Sequence, residues 1–310
     1  MNKKIVFMGT PDYATVIFEK LLEKNYEVTA LFTQPDKKVG RKQLLTPPHI
    51  KQFCIEKELD VPIYQPNKLR DEENVEILKE LQPDFIIVAA YGQILPKSIL
   101  DIAPCINLHA SLLPLYRGAS PIQEALLNGD KFTGVTSMLM DVGLDSGDIL
   151  GLEYLELTQD MCVEEAFSKL SQIAANLTID TLERFNTIQA KVQNTSQVSH
   201  CGKISKDDGL VHLDDAKNVY NKYKAYHYWP GVFLESGLKL KDIKLVETDS
   251  SNQAGEILQI EKEYIVIGCI NGSLQINRVQ APSKKEVSVI DYLNGNRLGL
   301  KDILVWNLYI

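Results

Sequence analysis

The stretch Ile5-Val-Phe-Met-Gly-Thr-Pro-Asp12, near the start of the chain, determines how the fold begins. Its four leading apolar residues predict a short buried strand, which Gly9 ends. Thr10 is expected to cap a helix that starts at Pro11, because the N–H that proline lacks has no partner at a first helical position. Apolar residues then recur at helical spacing, at Tyr13, Ile17 and Leu21. The chain therefore opens as a strand, a turn and a helix.

Strand-like and helix-like runs continue to alternate up to about residue 190. The run Phe85–Ala90 is continuously apolar, as expected of a strand buried on both faces of a parallel sheet. Further strands are predicted at Val28–Phe32, Ile106–His109 and Val135–Met140, and helices at Ile122–Leu127 and Glu164–Phe185. This alternation predicts an α/β fold with a Rossmann-like, doubly wound, mostly parallel sheet. In such a fold a site lies at the carboxyl ends of the strands.

The pattern changes after residue 190. The polar stretch Lys191–His200 predicts a linker, which we place at residues 191–204. Short strand-like runs follow between turn signals, at Val232–Glu235, Leu238–Val246, Glu256–Ile260, Tyr264–Gly268 and Leu274–Val279. With a helix near Asn218–Tyr226, they predict a small OB-like β-barrel. We therefore expect a catalytic domain at residues 1–190, the linker, and a C-terminal barrel at residues 205–310.

Composition and charge describe an ordinary globular protein. The chain has 310 residues and a net charge of -8, and 45% of its residues are hydrophobic, which excludes disorder, collagen and coiled coil. No apolar run is long enough for a membrane span or a signal peptide. The five cysteines are at least 39 residues apart, which excludes a CxxC metal or redox site and favours a reducing cytosol. We expect a cytoplasmic protein, a monomer by default, with no metal.

Chemically active side chains concentrate in Asn107-Leu-His-Ala-Ser-Leu-Leu-Pro114 and Asp141-Val-Gly-Leu-Asp-Ser-Gly-Asp148. Asn107 and His109 are two residues apart at the end of a predicted strand, so their side chains point to one face. An amide beside an imidazole can hold a carbonyl oxygen and move a proton. Taken singly, His109 is more often a core or surface histidine, and Asp-Gly loops are common turns. The order and spacing of Asn107, His109 and Asp145 favour catalysis.

Together the two motifs resemble the signature of the folate-dependent formyltransferases. The resemblance implies that 10-formyltetrahydrofolate is the formyl donor and that Asn107, His109 and Asp145 are catalytic. It also implies a folate site formed by Tyr91, Gly92, Ile94, Leu95, Ser111, Leu112, Leu113, Pro114, Asp141 and Gly143.

Further segments are similar to the members of this family that formylate methionyl-tRNA. They are Met8-Gly-Thr-Pro-Asp12, Ala90-Tyr-Gly-Gln-Ile-Leu-Pro96, Tyr116-Arg-Gly-Ala-Ser-Pro121 and Trp229-Pro-Gly231. The resemblance covers essentially the whole chain. It implies that the formyl group is transferred to the α-amino group of initiator methionyl-tRNA, for translation initiation. Arg117 is expected either near the acceptor end or in an ion pair with an acid.

A basic loop follows Asp36 and contains Lys37, Lys38, Arg41 and Lys42. Taken alone it is a solvated surface loop. In the tRNA-formylating relatives the matching loop enters the acceptor arm, so these four residues are predicted to contact tRNA. The negative net charge does not prevent this, because electrostatic fields fade over about 8–10 Å at physiological salt. Lysines of the C-terminal part would extend the surface: Lys203, Lys206, Lys222, Lys224, Lys239, Lys241 and Lys244.

Two other functions stay open. The first is N-formylation of an amino-sugar nucleotide, which has no need of a basic loop for an acceptor stem. The second is a non-catalytic RNA-binding protein on the same scaffold, which predicts a damaged catalytic trio. A small phosphorylated substrate is disfavoured, because the first turn has a single glycine, Gly9, and Asp12 would repel phosphate there.

Overall fold

A computed structural model describes residues 3–40 and 42–304 of the chain. These residues form two compact units. The first unit takes the chain up to Pro121, together with Lys131–Leu157 and Glu165–Gly202. The second unit takes Ile122–Asp130, Thr158–Glu164 and the chain from Lys203 onward. Two short segments that precede residue 165 thus belong to the second unit.

The helices and strands up to residue 201 are, in chain order, β1 Lys4–Gly9, α1 Asp12–Glu23, β2 Glu27–Phe32, β3 Lys37–Val39, β4 Leu44–Thr46, α2 His49–Glu56, β5 Ile63–Tyr64, α3 Glu72–Leu81, β6 Phe85–Ala89, α4 Lys97–Leu100, β7 Cys105–His109, β8 Arg117–Gly118, α5 Pro121–Asn128, β9 Phe132–Leu139, β10 Ile149–Glu156, α6 Val163–Arg184 and β11 His200–Cys201. The remainder are α7 Ala216–Tyr226, β12 Val232–Phe233, β13 Lys239–Ser251, β14 Ile257–Ile260, β15 Ile265–Gly268, β16 Asn271–Gln280, β17 Val287–Ser288 and α8 Val289–Asn296. None of the helices within the described ranges is long and apolar enough to cross a membrane.

The main sheet has the strand order β10-β9-β7-β6-β1-β2-β5. The five neighbouring strands β7, β6, β1, β2 and β5 pair in parallel. At one edge, β9 pairs antiparallel with β7, and β10 pairs antiparallel with β9. Every residue of β6 is buried, as the apolar run Phe85–Ala90 predicts, although Ala90 itself is exposed and follows the strand. Every residue of β7 is buried as well. The predicted α/β fold with a mostly parallel sheet is confirmed.

The first turn differs from the prediction in one detail. Helix α1 starts at Asp12, and Pro11 takes the capping position with an extended backbone. The carbonyl of Pro11 accepts hydrogen bonds from the amides of Ala14 and Thr15. The hydroxyl of Thr10 does not cap the helix, because it donates to the carbonyl of Tyr91 at 3.1 Å. Thr10 therefore ties the β1 turn to the loop that follows β6.

The segment predicted to be a linker is bound to the first unit along most of its length. Lys191 and Ile149 exchange both backbone hydrogen bonds, at 2.8 and 2.9 Å. Strand β11 then pairs in parallel with β8, with His200 opposite Arg117 and Cys201 opposite Gly118. The polar composition of this segment thus reflects hydrogen bonding to the first unit rather than solvation of a free connection.

The second unit is built on an antiparallel sheet with the order β12-β13-β16-β15-β14, and β17 pairs with β16. Each of the five predicted strands and the predicted helix corresponds to an observed element. For each pair, the predicted and observed bounds agree to about two residues at one end or at both. Its core includes Ile243, Ile267, Leu274 and Ile276, all of which are buried. Among the described residues β12 and β14, at the two ends of the order, do not pair with each other, so a closed barrel stays a prediction.

Replacing Tyr13 by phenylalanine is expected to destabilise the first unit by about 1 kcal/mol. The Tyr13 hydroxyl is buried and donates to the carbonyl of Leu108 in β7 at 3.2 Å. Burial raises the pKa of this phenol far above its ordinary value, so the hydroxyl keeps the proton that it donates. Urea unfolding of the two proteins measures the difference. Tyr154→Phe, at a residue that is 64% exposed, is the matched control and is expected to change the unfolding free energy by less than about 0.5 kcal/mol. Equal stability of Tyr13→Phe and wild type would refute the role of this hydrogen bond.

Candidate active site

Two neighbouring strands bring the predicted catalytic trio together. Asn107 and His109 lie at the carboxyl end of β7, and Asp145 lies in the loop between β9 and β10. Nδ2 of Asn107 donates to Oδ1 of Asp145 at 3.3 Å, and Nδ1 of His109 lies 3.7 Å from Oδ2 of Asp145. Asn107 and His109 are 9% and 6% exposed, so the three polar groups meet in a largely water-excluded place. An electrostatic interaction is stronger there than in bulk water.

The carboxylate of Asp145 is held from a second side by the backbone of β8. The amide of Gly118 donates to Oδ2 of Asp145 at 2.9 Å. Gly118 has a φ of +127°, and a Cβ on it would lie 2.1 Å from the carbonyl oxygen of Cys201. Asp145 itself has a φ of 49°, a left-handed conformation that costs a non-glycine residue about 1 kcal/mol or more. Strained backbone of this kind persists only where its surroundings hold it.

The second ring nitrogen of His109 fixes the hydrogen position on the imidazole. Nε2 lies 2.9 Å from the carbonyl oxygen of Tyr116. A carbonyl oxygen can only accept, so Nε2 carries the hydrogen. Nδ1 is then the nitrogen that faces Asp145, at a distance longer than a hydrogen bond. The group of His109 that can exchange a proton with a bound substrate in this arrangement is Nδ1.

The residues predicted to form the folate site divide by exposure. The side chains of Tyr91, Leu95, Ser111 and Leu113 are buried, and the Ser111 hydroxyl donates to the carbonyl of Leu115. These residues can meet a ligand only through their backbone unless the loops move. Leu112 and Pro114 are partly buried, whereas Gly92, Ile94, Asp141 and Gly143 are exposed.

The loop that carries Asp145 also presents apolar side chains that sequence reasoning passed over. Val142 and Leu144 are 70% and 61% exposed. Ile94, a residue already predicted for the folate site, is 81% exposed in the loop after the neighbouring strand β6. Exposed apolar side chains beside a polar trio are typical of ligand pockets. Their signal in the sequence is the alternation of apolar residues with Asp and Gly between Asp141 and Asp148.

Hydrogen bonds within the same loop define its shape. Oδ1 of Asp141 accepts from the amide of Gly143 at 2.9 Å and from the hydroxyl of Ser146 at 2.7 Å. A Cβ on Gly147 would lie 1.8 Å from the carbonyl oxygen of Leu139, so only glycine fits there. Oδ1 of Asp141, a residue predicted for the folate site, therefore stabilises the conformation of the loop in this structure.

Arg117 binds an amide rather than an acid. Its Nε and Nη2 donate to Oε1 of Gln193 at 3.1 and 2.6 Å. Among the ion pairs of residues 3–40 and 42–304, none involves Arg117. The expected ion pair with an acid is therefore wrong for the described residues.

The basic loop is a short β-hairpin formed by β3 and β4. Lys37, Lys38 and Lys42 are exposed on it, while Arg41 lies outside the described residues. Exposed apolar residues accompany the lysines, at Val39, Leu44 and Leu45. The hairpin thus presents positive charge and apolar surface together.

A polar network anchors the start of this hairpin. Nζ of Lys51 donates to both carboxylate oxygens of Asp36, at 2.9 and 3.0 Å, and to Gln65 at 2.7 Å. Nε2 of Gln65 donates in turn to Asp36 and to the carbonyl of Gln34. Hydrogen bonds from Gln65 and Lys51 lower the pKa of Asp36, so its carboxylate stays charged. The base of the hairpin is therefore held by hydrogen bonds and an ion pair.

Two of the C-terminal lysines are used internally. Lys224 is 7% exposed, and its Nζ donates to the carbonyl of Gln159 at 3.0 Å. Burial lowers the pKa of this ammonium group. Nζ of Lys222 donates to the carbonyl of Leu210. In this structure Lys224 is closed to RNA, so its predicted place on the RNA surface is wrong.

Within the described residues no three His, Cys, Asp or Glu side chains are grouped in a way that could hold a metal ion.

Comparison with known families gives two matches. A family model described as formyl transferase matches residues 3–182, and a model of the formyl transferase C-terminal domain matches residues 203–297.

Solved structures share the fold at low sequence identity. An N-formyltransferase from Helicobacter canadensis, in complex with folinic acid and dTDP-3-aminofucose, has a TM-score of 0.68 at 17% identity, covering 90% of this chain and 100% of that one. HypX from Aquifex aeolicus, in complex with tetrahydrofolic acid, has a TM-score of 0.65 at 17% identity, covering 100% of this chain and 50% of that one. These likenesses establish the fold.

Two curated relatives are much more similar in sequence. The methionyl-tRNA formyltransferase of Nitratiruptor sp. is 57% identical over 96% of this chain and 99% of its own. That of Sulfurimonas denitrificans is 54% identical over 97% of this chain and 99% of its own. The chain therefore belongs to the formyl transferase family, as a transferase of the methionyl-tRNA formyltransferase group.

Proposed function

We propose that this protein transfers the formyl group of 10-formyltetrahydrofolate to the α-amino group of methionyl-initiator tRNA. The observation that carries the proposal is the meeting of Asn107 and His109 of β7 with Asp145 of the loop after β9, in one largely buried place. The similarity to methionyl-tRNA formyltransferases over 96–97% of the chain supports this choice of acceptor. We assign catalysis to the N-terminal region and tRNA contact to the hairpin and the C-terminal region.

The exposed side chains beside the trio fit a folate-type donor. Ile94, Val142 and Leu144 supply apolar surface for the faces of a flat ring system. The backbone of Gly92 and the carbonyl of Gly143 supply polar partners for its edge, since the amide of Gly143 is bonded to Asp141. A site with apolar walls and a few polar groups is typical of a cofactor pocket.

The chemistry that we assign to the trio is an acyl transfer without a covalent enzyme intermediate. The donor supplies a formyl carbon, which forms a bond to the amine nitrogen while its bond to the folate nitrogen breaks. Asn107 Nδ2 has a second hydrogen besides the one directed at Asp145, and this hydrogen stabilises the negative charge that develops on the formyl oxygen. His109 Nδ1 relays the proton that leaves the amine toward the folate nitrogen, and Asp145 stabilises the charged imidazole.

The basic hairpin favours tRNA over an amino-sugar nucleotide as the acceptor. A small acceptor needs no exposed cationic hairpin, whereas phosphates of an acceptor stem bind exposed lysines. Lys37, Lys38 and Lys42 are exposed on the hairpin, and with Arg41 we assign them to tRNA contact.

One assay tests the acceptor directly. The purified protein is incubated with radiolabelled formyl-tetrahydrofolate and either methionylated initiator tRNA or an amino-sugar nucleotide. We expect label on the tRNA alone, released as formylmethionine after alkaline hydrolysis. Label on the sugar nucleotide alone would overturn the proposed acceptor, and label on neither would overturn the proposed activity.

The double substitution of Lys38 and Lys42 by alanine is expected to raise the KM for methionyl-tRNA and to spare the KM for the formyl donor. Affinity falls as salt rises, and each phosphate contact that is lost makes the plot of log affinity against log salt shallower by roughly 0.7–0.9. Measuring the KM for tRNA between low and physiological salt gives this slope. The control is the double substitution of Lys79 and Lys97, exposed lysines of α3 and α4, which removes the same charge elsewhere. An identical salt slope in both double variants contradicts the assignment.

A further inference from the structure

Gln193 is the most completely bonded side chain of the segment that follows α6. It is 4% exposed, and its amide makes four hydrogen bonds. Nε2 donates to the carbonyl of Asp145 at 2.9 Å and to the carbonyl of Gly147 at 2.8 Å. Oε1 accepts from the guanidinium of Arg117. Both N–H groups and the carbonyl oxygen of the amide are therefore used.

The chemistry of the neighbours fixes the orientation of this amide. A flipped amide would set its oxygen against two carbonyl oxygens and its NH₂ group against a guanidinium, which can only donate. A glutamine side chain offers two N–H donors and a carbonyl acceptor on the same carbon, and the shorter asparagine would not extend as far. The pairing thus needs the residue type that is present.

The two carbonyls that Gln193 binds lie on either side of Ser146, within the loop that carries the catalytic carboxylate. Asp145 has a left-handed backbone, which its neighbours must hold in place. The backbone pair between Lys191 and Ile149 fixes the start of β10, which follows this loop. Gln193 therefore restrains the loop where Asp145 turns toward Asn107 and His109.

We propose that Gln193 is a positioning residue for formyl transfer. Its amide holds the backbone of residues 145–147, so that the Asp145 carboxylate faces Asn107 and His109, and it couples that loop to Arg117. Gln193 contacts none of the reacting atoms and acts through Asp145. The proposal rests on the proposed function, because it concerns the geometry of the same trio.

Gln193→Met tests the proposal, because methionine has a similar length and removes all four hydrogen bonds. We expect kcat to fall about 10- to 100-fold, the usual cost of losing a residue that orients a catalytic group. The KM values for the formyl donor and for methionyl-tRNA are expected to stay within about twofold, because no binding contact is lost. Gln197→Met, at an exposed residue of the same segment, is the matched control and is expected to keep wild-type kcat.

A second measurement separates positioning from a general structural role. Gln193→Met is combined with Asp145→Asn, and single-turnover rates are measured with enzyme in excess. If Gln193 acts through Asp145, its substitution costs less than about threefold in the Asp145→Asn background. A merely structural role costs the same factor in both backgrounds.

Three results would overturn the proposal: wild-type kcat in Gln193→Met, a loss confined to KM, or an equal loss in both backgrounds. The proposed function is tested separately, because wild-type formylation of methionyl-tRNA is measured first. An inactive wild-type protein refutes the function, whereas an active wild type with an active Gln193→Met refutes only the positioning role.

Discussion

Replacing Asp145 by asparagine is expected to lower kcat for formyl transfer by about 1000-fold, within the range that losing one preorganised polar group costs in an active site. Oδ1 accepts from Asn107 and Oδ2 accepts from the amide of Gly118. An asparagine has one acceptor, so its NH₂ group must face one of these two donors. The substitution also removes the negative charge beside Nδ1 of His109. The substitution therefore removes both a hydrogen bond that orients the side chain and the charge that stabilises a protonated His109.

Steady-state kinetics with methionyl-tRNA and the formyl donor provide the measurement. We expect both KM values to change less than about threefold, because the lost interaction matters mainly in the transition state. Asp180→Asn is the control, since Asp180 is an exposed acid of α6 paired with Arg184. A kcat of Asp145→Asn within tenfold of wild type would show that the carboxylate has no essential role.

The sequence predicts the strands around the site because their surroundings leave a simple pattern. The strand β6 is buried on both faces, and this burial produces a continuous apolar run. The strand β7 is buried as completely, but its sequence includes the polar residues Asn107 and His109. The spacing of Asn107 and His109 follows from the two-residue period of a strand. The motifs predict that these residues meet Asp145, and in the structure they lie 3.3 and 3.7 Å from its carboxylate oxygens.

Elsewhere the pattern is ambiguous for physical reasons. The segment around Gln193 is polar and has no periodicity, which is typical of a linker, but its polar groups are satisfied by backbone 46 and 48 residues away in sequence. The hairpin of β3 and β4 has only three residues in each strand, too few for a period to show. Motif membership also does not separate inward from outward side chains. It therefore predicts Tyr91 and Leu95, which are buried, for the same site as Ile94, which is exposed.

Gly118→Ala is expected to impair folding and activity together, because it acts on the backbone that holds Asp145. The residue has a φ of +127°, and the new Cβ would lie 2.1 Å from the carbonyl oxygen of Cys201. Relief of this clash requires β8 and β11 to separate, which moves the Gly118 amide away from Asp145. We expect a loss of about 2–4 kcal/mol in unfolding free energy, from backbone strain and the broken strand pair. We also expect kcat to fall about 100-fold or more in the folded fraction, as a misplaced catalytic group costs.

Gly202→Ala is the matched control, because it lies next to the same strand pair and a Cβ on it meets nothing within 4 Å. Urea unfolding measures stability, and single-turnover formylation under conditions where both variants are folded measures activity. Gly202→Ala is expected to stay within about 1 kcal/mol of wild type in stability and to keep its activity. If Gly118→Ala lost stability but kept its turnover, the amide of Gly118 would be dispensable for orienting the carboxylate, and β8 would serve only the fold. If Gly118→Ala loses both stability and turnover, the backbone of β8 is needed to orient the Asp145 carboxylate.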